Sequence, residues 1–188
     1  MTAPLLIYFI GFPGSGKTTF ANKLAAELGG VVLNSDALRV AIFGSREIVE
    51  GMYQTPDRPK LNTYTFGAMD YIAKNLLSQG IPVVYDAIQR THEDRDNMLW
   101  LAETAGAVPV FVSLQTSVET AVQRGISRQD TPESRRFDEN TMRGVVQHFI
   151  DELEPVREGE RVVEISGEVP FNEQHEVFKQ GVGELTNG

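Results

Sequence analysis

Leu5-Leu6-Ile7-Tyr8-Phe9-Ile10-Gly11-Phe12-Pro13-Gly14-Ser15-Gly16-Lys17-Thr18 decides the fold. Its first six residues are apolar without alternation, as a strand covered on both faces must be. The next eight match G-x-x-x-x-G-K-[ST] at every fixed position. Gly11, Gly14 and Gly16 leave backbone N–H groups unobstructed, so the turn can wrap around dense negative charge. A helix predicted over Thr18 to Leu28 adds the positive end of its dipole, and Gly29-Gly30 stops it. With Gly at about 7% of residues, a chance match in a chain of this length is on the order of one per cent. The strand-turn-helix context lowers that further. The stretch is a phosphate cradle.

Working outward, short apolar runs alternate with helical periodicity, the rhythm of an α/β fold with a parallel sheet. Strands are predicted at Val31 to Leu33, Ile81 to Tyr85, Val108 to Leu114 and Arg161 to Ile165. A short helix is expected from Asp36 to Phe43, with Ser35 or Asp36 at its cap. Residues 44 to 60 carry Gly44, Gly51, Pro56 and Pro59 and predict a loop or partly ordered insertion. Asn62 to Ser78 has helical spacing of Phe66, Met69, Ile72, Ala73, Leu76 and Leu77. Thr91-His92-Glu93-Asp94 resembles a capping box opening a helix to about Ala105. Ser117 caps a helix to about Ile126, and Asp138 to Leu153 is another. After Gly167 the chain is expected to be a polar tail (167–188). No repeat suggests more than one domain, so 1–188 is taken as one.

In an open parallel sheet, ligands gather at the carboxyl ends of strands, and three polar clusters fall there. Asn34-Ser35-Asp36 follows the second strand, and Asp36 and Arg39 share a helical face at i, i+3. The carboxylate can accept the proton of a hydroxyl and the arginine can grip a phosphate or carboxylate; a helix cap beside a solvated arginine would look the same in sequence. Asp86 closes Val83-Val84-Tyr85-Asp86, a position suited to a metal or to an acceptor, although strand-end aspartates often only form turns. Arg124-Gly125-Ile126-Ser127-Arg128 can neutralise charge on a transferring phosphoryl group, while Arg135 and Arg136 are assigned to a solvated patch. Lys17 can bridge the β- and γ-phosphates, and the Thr18 hydroxyl, with Thr19 beside it, can ligate Mg²⁺. His92, His148 and His175 lack metal-ligand spacing. Trp100, beside Leu99, Leu101 and Ala102, is expected in the core. Tyr64, Phe66 and Tyr71 are expected to pack along their helix, Tyr64 with a place at an acceptor pocket.

The chain has 188 residues and a net charge of −9, from 17 Lys+Arg against 26 Asp+Glu. That balance argues against a protein that coats nucleic acid, though not against a nucleic-acid end held in one positive cleft. No apolar run is long enough to span a membrane, and the segment before Leu5 lacks the basic region of a signal peptide. The absence of cysteine removes disulfides, thiolate zinc sites and cysteine nucleophiles, and fits the cytoplasm. The oligomeric state has no signal in the sequence.

With these residues in hand, the chain resembles the P-loop kinases of the polynucleotide-kinase and zeta-toxin group, also labelled AAA-type ATP-binding kinases. The resemblance rests on Gly11–Thr18, Asn34-Ser35-Asp36-Ala37-Leu38-Arg39, Val83-Val84-Tyr85-Asp86-Ala87 and the Arg124/Arg128 pair, spaced over most of residues 5 to 150. It implies a three-layer P-loop fold with a five-stranded parallel sheet between helices, and a lid at about 124–137 carrying Arg124 and Arg128. It further implies ATP and Mg²⁺ as cofactors, residues 11–19 with Arg124 and Arg128 on the nucleotide, Asp36 as general base and Arg39 on the acceptor phosphate. Many relatives read D-A-T-N where this chain reads Asp86-Ala87-Ile88-Gln89, which changes the polar lining near the acceptor. The expected activity is transfer of the γ-phosphate of ATP to a hydroxyl, of a polynucleotide 5′ end or, alternatively, of a small metabolite or nucleoside-like acceptor. A regulatory GTPase would show N-K-x-D, whereas Asn22-Lys23-Leu24-Ala25 lacks the aspartate. A mechanical ATPase would need a further helical domain or an L-S-G-G-Q run.

Overall fold

The computed structural model describes residues 3–131 and 136–187. Five strands, β1 (Leu5–Ile10), β2 (Val31–Asn34), β3 (Val83–Ile88), β4 (Val108–Gln115) and β5 (Val162–Ser166), form one sheet in the order β2-β3-β1-β4-β5. Every pairing is parallel. The reversal of strand order on either side of β1 opens a crevice at the carboxyl ends of the strands, where the glycine-rich turn leaves β1. Both faces are covered. Leu6, Tyr8, Leu33, Val83, Tyr85 and Phe111 point to one cluster with Met69, Ala73, Leu77 and Met98. Ile7, Phe9, Val84, Val110, Val112 and Ile165 point to the other, with Phe20, Leu24 and Phe178. The alternation along each strand is that of a pleated ribbon buried twice. This is the five-stranded parallel α/β architecture of the P-loop nucleoside triphosphatases.

The helices are α1 (Lys17–Leu28), α2 (Ser35–Phe43), α3 (Arg46–Tyr53), α4 (Arg58–Ser78), α5 (His92–Ala105), α6 (Val118–Ser127), α7 (Glu139–Asp151) and α8 (Phe171–Asn187). Their starts follow from sequence chemistry. Asn34 rather than Ser35 or Asp36 caps α2, accepting from the Ala37 amide. Thr91 and Asp94 form the expected capping box, and Ser117 and Asp138 cap α6 and α7.

Two segments differ from expectation. Residues 44–60 are not a loop: Ser45 caps α3 and buries Val49, and α4 begins at Arg58 with Pro59 in its first turn. A proline there costs nothing because its missing N–H would have no partner, so the glycines and prolines separate helices instead of abolishing them. Nor is 167–188 a loose tail. Phe171–Asn187 is helical, and its Phe178 is 2% exposed against the core. The apolar stripe of Phe171, Phe178 and Val182, with buried Gln174 donating to the Ser166 carbonyl between them, is masked in sequence by the charged residues around it. Trp100, expected inside, is 62% exposed, and Tyr71 is exposed as well. The buried stripe of α5 runs instead through Arg95, Met98, Leu101 and Ala102. Among the described residues, no helix is long and apolar enough to cross a membrane.

Candidate active site

The turn after β1 is built as a cradle. Gly14 and Gly16 hold φ of 84° and 99°, a region that side chains resist. A Cβ on Gly14 would stand 2.5 Å from the Ala121 carbonyl, so α6 rests directly on the loop. From the other side, Thr116 Oγ1 donates to the Ser15 carbonyl at 3.0 Å, and the Gly167 backbone comes so near that an added Cβ would be 2.6 Å from the Ser15 oxygen. The cradle is thus clamped between the ends of β4 and β5.

Lys17 opens α1 inside this loop. Its Nζ donates to the Phe12 carbonyl at 2.5 Å and to Ser15 Oγ at 3.1 Å. Burial pushes its pKa down to about 8; Asp86 and Asp36 pull it up and the Arg128 charge pushes it lower. Asp86 lies at the floor, 5% exposed. In β3 it lies inside the strand rather than at its end, but the register with β1 jumps from Tyr8↔Tyr85 to Phe9↔Ile88. Asp86 and Ala87 therefore leave that ladder where the crevice opens. Burial raises the Asp86 pKa, while hydrogen bonds from Thr18 and Asn34 and the Lys17 charge counter it; Asn34 Nδ2 donates at 2.6 Å. Thr18 and Thr19 are exposed on the first turn of α1.

Facing the cradle, α2 presents the Asp36–Arg39 pair, with Nη1 to Oδ1 at 2.9 Å. The two are unlike in exposure: the Asp36 side chain is 66% accessible and that of Arg39 only 11%. Arg39 is therefore no solvated side chain. Its Nη2 donates to Asn62 Oδ1 at 3.2 Å, its guanidinium stands 5.5 Å over the Phe66 ring, and its buried Nε has no partner. Tyr64 is exposed and stacks on Phe43 with centroids 6.4 Å apart.

Arg124, in the last turn of α6, reaches back over the loop. Its Nη2 donates to the Gly167 carbonyl at 2.8 Å. Its Nη1 is buried without a partner, near enough to Gly16 that a Cβ there would be 3.3 Å away. Arg128 ends the helix, exposed. Of the predicted lid at 124–137 and the basic patch, residues 132–135, including Arg135, lie outside the described residues; Arg136 is exposed.

Geometry thus brings Gly11–Thr18, Asp36, Asp86, Arg124 and Arg128 around one crevice, with Arg39 behind Asp36. Asn62, Thr116 and Gly167 join the site without having been singled out by the sequence. Asn34 belongs to the polar cluster expected after the second strand, and the strand-end position of Thr116 and Gly167 is the signal available for those two. Asn62 joins the group only through tertiary packing of α2 on α4. A surface groove of about 620 Å³ between β5 and α8 contains none of these residues. Among the described residues no group of three or more His, Asp or Glu could hold a metal by itself. The Thr18 hydroxyl bonded to Asp86 is a hard-oxygen pair of the type Mg²⁺ takes when phosphates and water complete its shell, so these two residues fit the ion.

Fold and cradle define a P-loop nucleotide-binding α/β protein. A model of the AAA domain family matches residues 6–155, and the chain belongs to that family. No curated protein matches it. Among solved structures it is similar to a gluconokinase from Sinorhizobium meliloti 1021, with a TM-score of 0.66 and 24% identity over 98% of this chain and 95% of that one. A sugar kinase from Janibacter sp. HTCC2649 gives 0.65 at 18% identity, over 98% and 95%. Kti12 from Chaetomium thermophilum, solved with ADP-AlF3, gives 0.68 at 18% identity, over 97% and 100%. At such identities the likeness is one of fold.

Proposed function

We propose that the protein is a small-molecule kinase, moving the γ-phosphoryl group of ATP to a hydroxyl of a compact polar acceptor. The observation that carries this reading is the placement of an exposed carboxylate, Asp36, across the crevice from the cradle, near enough that its charge acts on both Lys17 and Asp86. A nucleotide switch has no need of a base there. In this reading the amides of residues 12–18, with Lys17, Thr19, Arg124 and Arg128, hold the triphosphate. Thr18 and Asp86 would hold Mg²⁺, which when bound would draw charge off the phosphate oxygens. Asp36 takes the acceptor proton as its oxygen bonds to the γ-phosphorus, the bond to the β-phosphate oxygen breaks, and ADP leaves. Arg39, held by Asn62 and Phe66, grips an anionic group of the acceptor.

The resemblance to polynucleotide kinases pointed first to a 5′-hydroxyl end. The small acceptor is favoured over it by the net charge of −9 and by gluconokinase and sugar kinase among the similar folds. Labelled ATP offered with sugar acids, polyols, nucleosides and 5′-hydroxyl oligonucleotides tests the choice. Label is expected on a small acceptor bearing a carboxylate or phosphate. Label on oligonucleotide ends alone would return the first reading, and label on nothing but water would end the kinase reading.

A further inference from the structure

An ion pair between Arg46 and Asp130 joins the two lips of the crevice. Arg46 opens α3, which packs on α2 and α4 on the acceptor side. Asp130 lies two residues beyond Arg128 on the donor side. The guanidinium meets the carboxylate as a fork, Nη1 to Oδ1 at 2.7 Å and Nη2 to Oδ2 at 3.2 Å. Nη1 also donates to the Thr131 carbonyl at 2.7 Å, and Asp130 Oδ1 accepts the Arg136 amide at 3.2 Å. An exposed pair between flexible side chains is worth little by itself. This one is bidentate, adds a backbone carbonyl, and ties residues 84 apart in sequence. A cleft of about 450 Å³ lined by Val40, Gly44, Ser45, Glu47 and the two partners runs beside it, so the fork bridges lips that are not otherwise packed solid there.

We propose that Arg46 and Asp130 are positioning residues that clamp the acceptor-side helices to the end of α6 and so hold Arg128 over the phosphate cradle. The Arg128 charge already acts on Lys17, and only Gln129 separates it from Asp130 of the clamp, so the fork restricts where that charge can stand. The pair touches neither substrate nor nucleotide. Its consequence for catalysis rests on the kinase reading: closing on the acceptor and placing an arginine on the donor become one event, and displacement of a charged group by about 1 Å can cost on the order of 10²-fold in rate.

The chain has no cysteine, so Ile48→Cys with Gln129→Cys gives two unique spin-label sites, one on each lip. Distances between them are measured in the otherwise unaltered chain, in Arg46→Asp, in Asp130→Arg and in the charge-swapped double variant. A narrow distribution is expected in the parent, a broadened and longer one in each single variant, and recovery in the double. A distribution unchanged by Arg46→Asp, or not restored by the swap, overturns the clamp. Where an acceptor has been found, each single variant should lose about 10- to 10²-fold in kcat, with KM for ATP little altered, and the swap should restore it; loss in KM for ATP alone would contradict the positioning role. Normal distance behaviour with transfer to no acceptor would refute the kinase reading and leave the clamp standing.

Discussion

Arg95 and Arg39 are both withdrawn from solvent, and the molecule treats them in opposite ways. Arg95, 0% exposed, donates through Nε to Glu160 at 3.0 Å and through its other nitrogens to the carbonyls of Arg90, Glu154 and Pro155. Although burial opposes it, hydrogen bonds from Arg95 and Arg157 hold the Glu160 pKa down at about 2. Arg157 in turn pairs with Asp96, and Arg90 with Glu152. The whole cluster pins the segment before β5 to the start of α5. Arg39 and Arg124, by contrast, each keep a buried nitrogen without a partner. An unmade bond on a buried charged group is costly, and folding alone gives no reason to retain it. Saturated charge marks scaffold here, and unsaturated charge marks the crevice.

The contrast can be broken most sharply at Arg124. Arg124→Ala should lower kcat on the order of 10³-fold or more and leave the melting temperature within a few degrees, checked by steady-state transfer and calorimetry; a large loss of stability with turnover intact would make it scaffold. Arg95→Leu should do the reverse. Glu160 keeps Arg157 but loses the Arg95 bond, and the carbonyls of Arg90, Glu154 and Pro155 lose their donor, at a cost of about 3 kcal/mol, a fall in Tm of roughly 2–4 °C for each of them, with kcat of the folded fraction unchanged below the melt. Asp36→Asn, on the crevice side, should reduce kcat about 10²- to 10⁴-fold with nucleotide affinity retained by titration; normal turnover would remove it from the base role.

The donor half of this crevice could be seen in the sequence because its geometry is local. Gly11 to Thr18 is one turn between one strand and one helix, and the spacing of glycines, lysine and threonine carries the whole requirement. Asp36 and Arg39 could be paired from an i, i+3 spacing, but not ranked, since spacing says nothing of the difference between 66% and 11% exposure. What sequence could not show is set by packing. Asn62 meets Arg39 only because α4 lies on α2, and the Arg46–Asp130 fork spans 84 residues. Trp100 was expected inside because its neighbours are apolar, yet the buried stripe of α5 is led by Arg95, whose partner Glu160 is far along the chain. A charged residue on a buried face misleads any reading by hydrophobic pattern, as the charged surface of α8 did for the tail.

Lys17 gives the smallest effect and sharpens the comparison at its centre, because it is charge held where folding does not favour it. With its pKa near 8, below the ordinary value of about 10.4, the folded chain binds fewer protons at this group than the unfolded chain across that window. Stability from this residue therefore rises as pH climbs from about 8 to 10, and below about 8 a constant penalty remains. Lys17→Met removes the penalty but also the bonds to the Phe12 carbonyl and Ser15, a net gain on the order of 1 kcal/mol, or about 2–4 °C, in nucleotide-free protein at pH 7. The advantage should shrink toward pH 10. Melting curves of both forms at the two pH values check this; a Lys17→Met protein less stable at pH 7, or a difference that does not change with pH, would mean that the lysine is part of the scaffold after all.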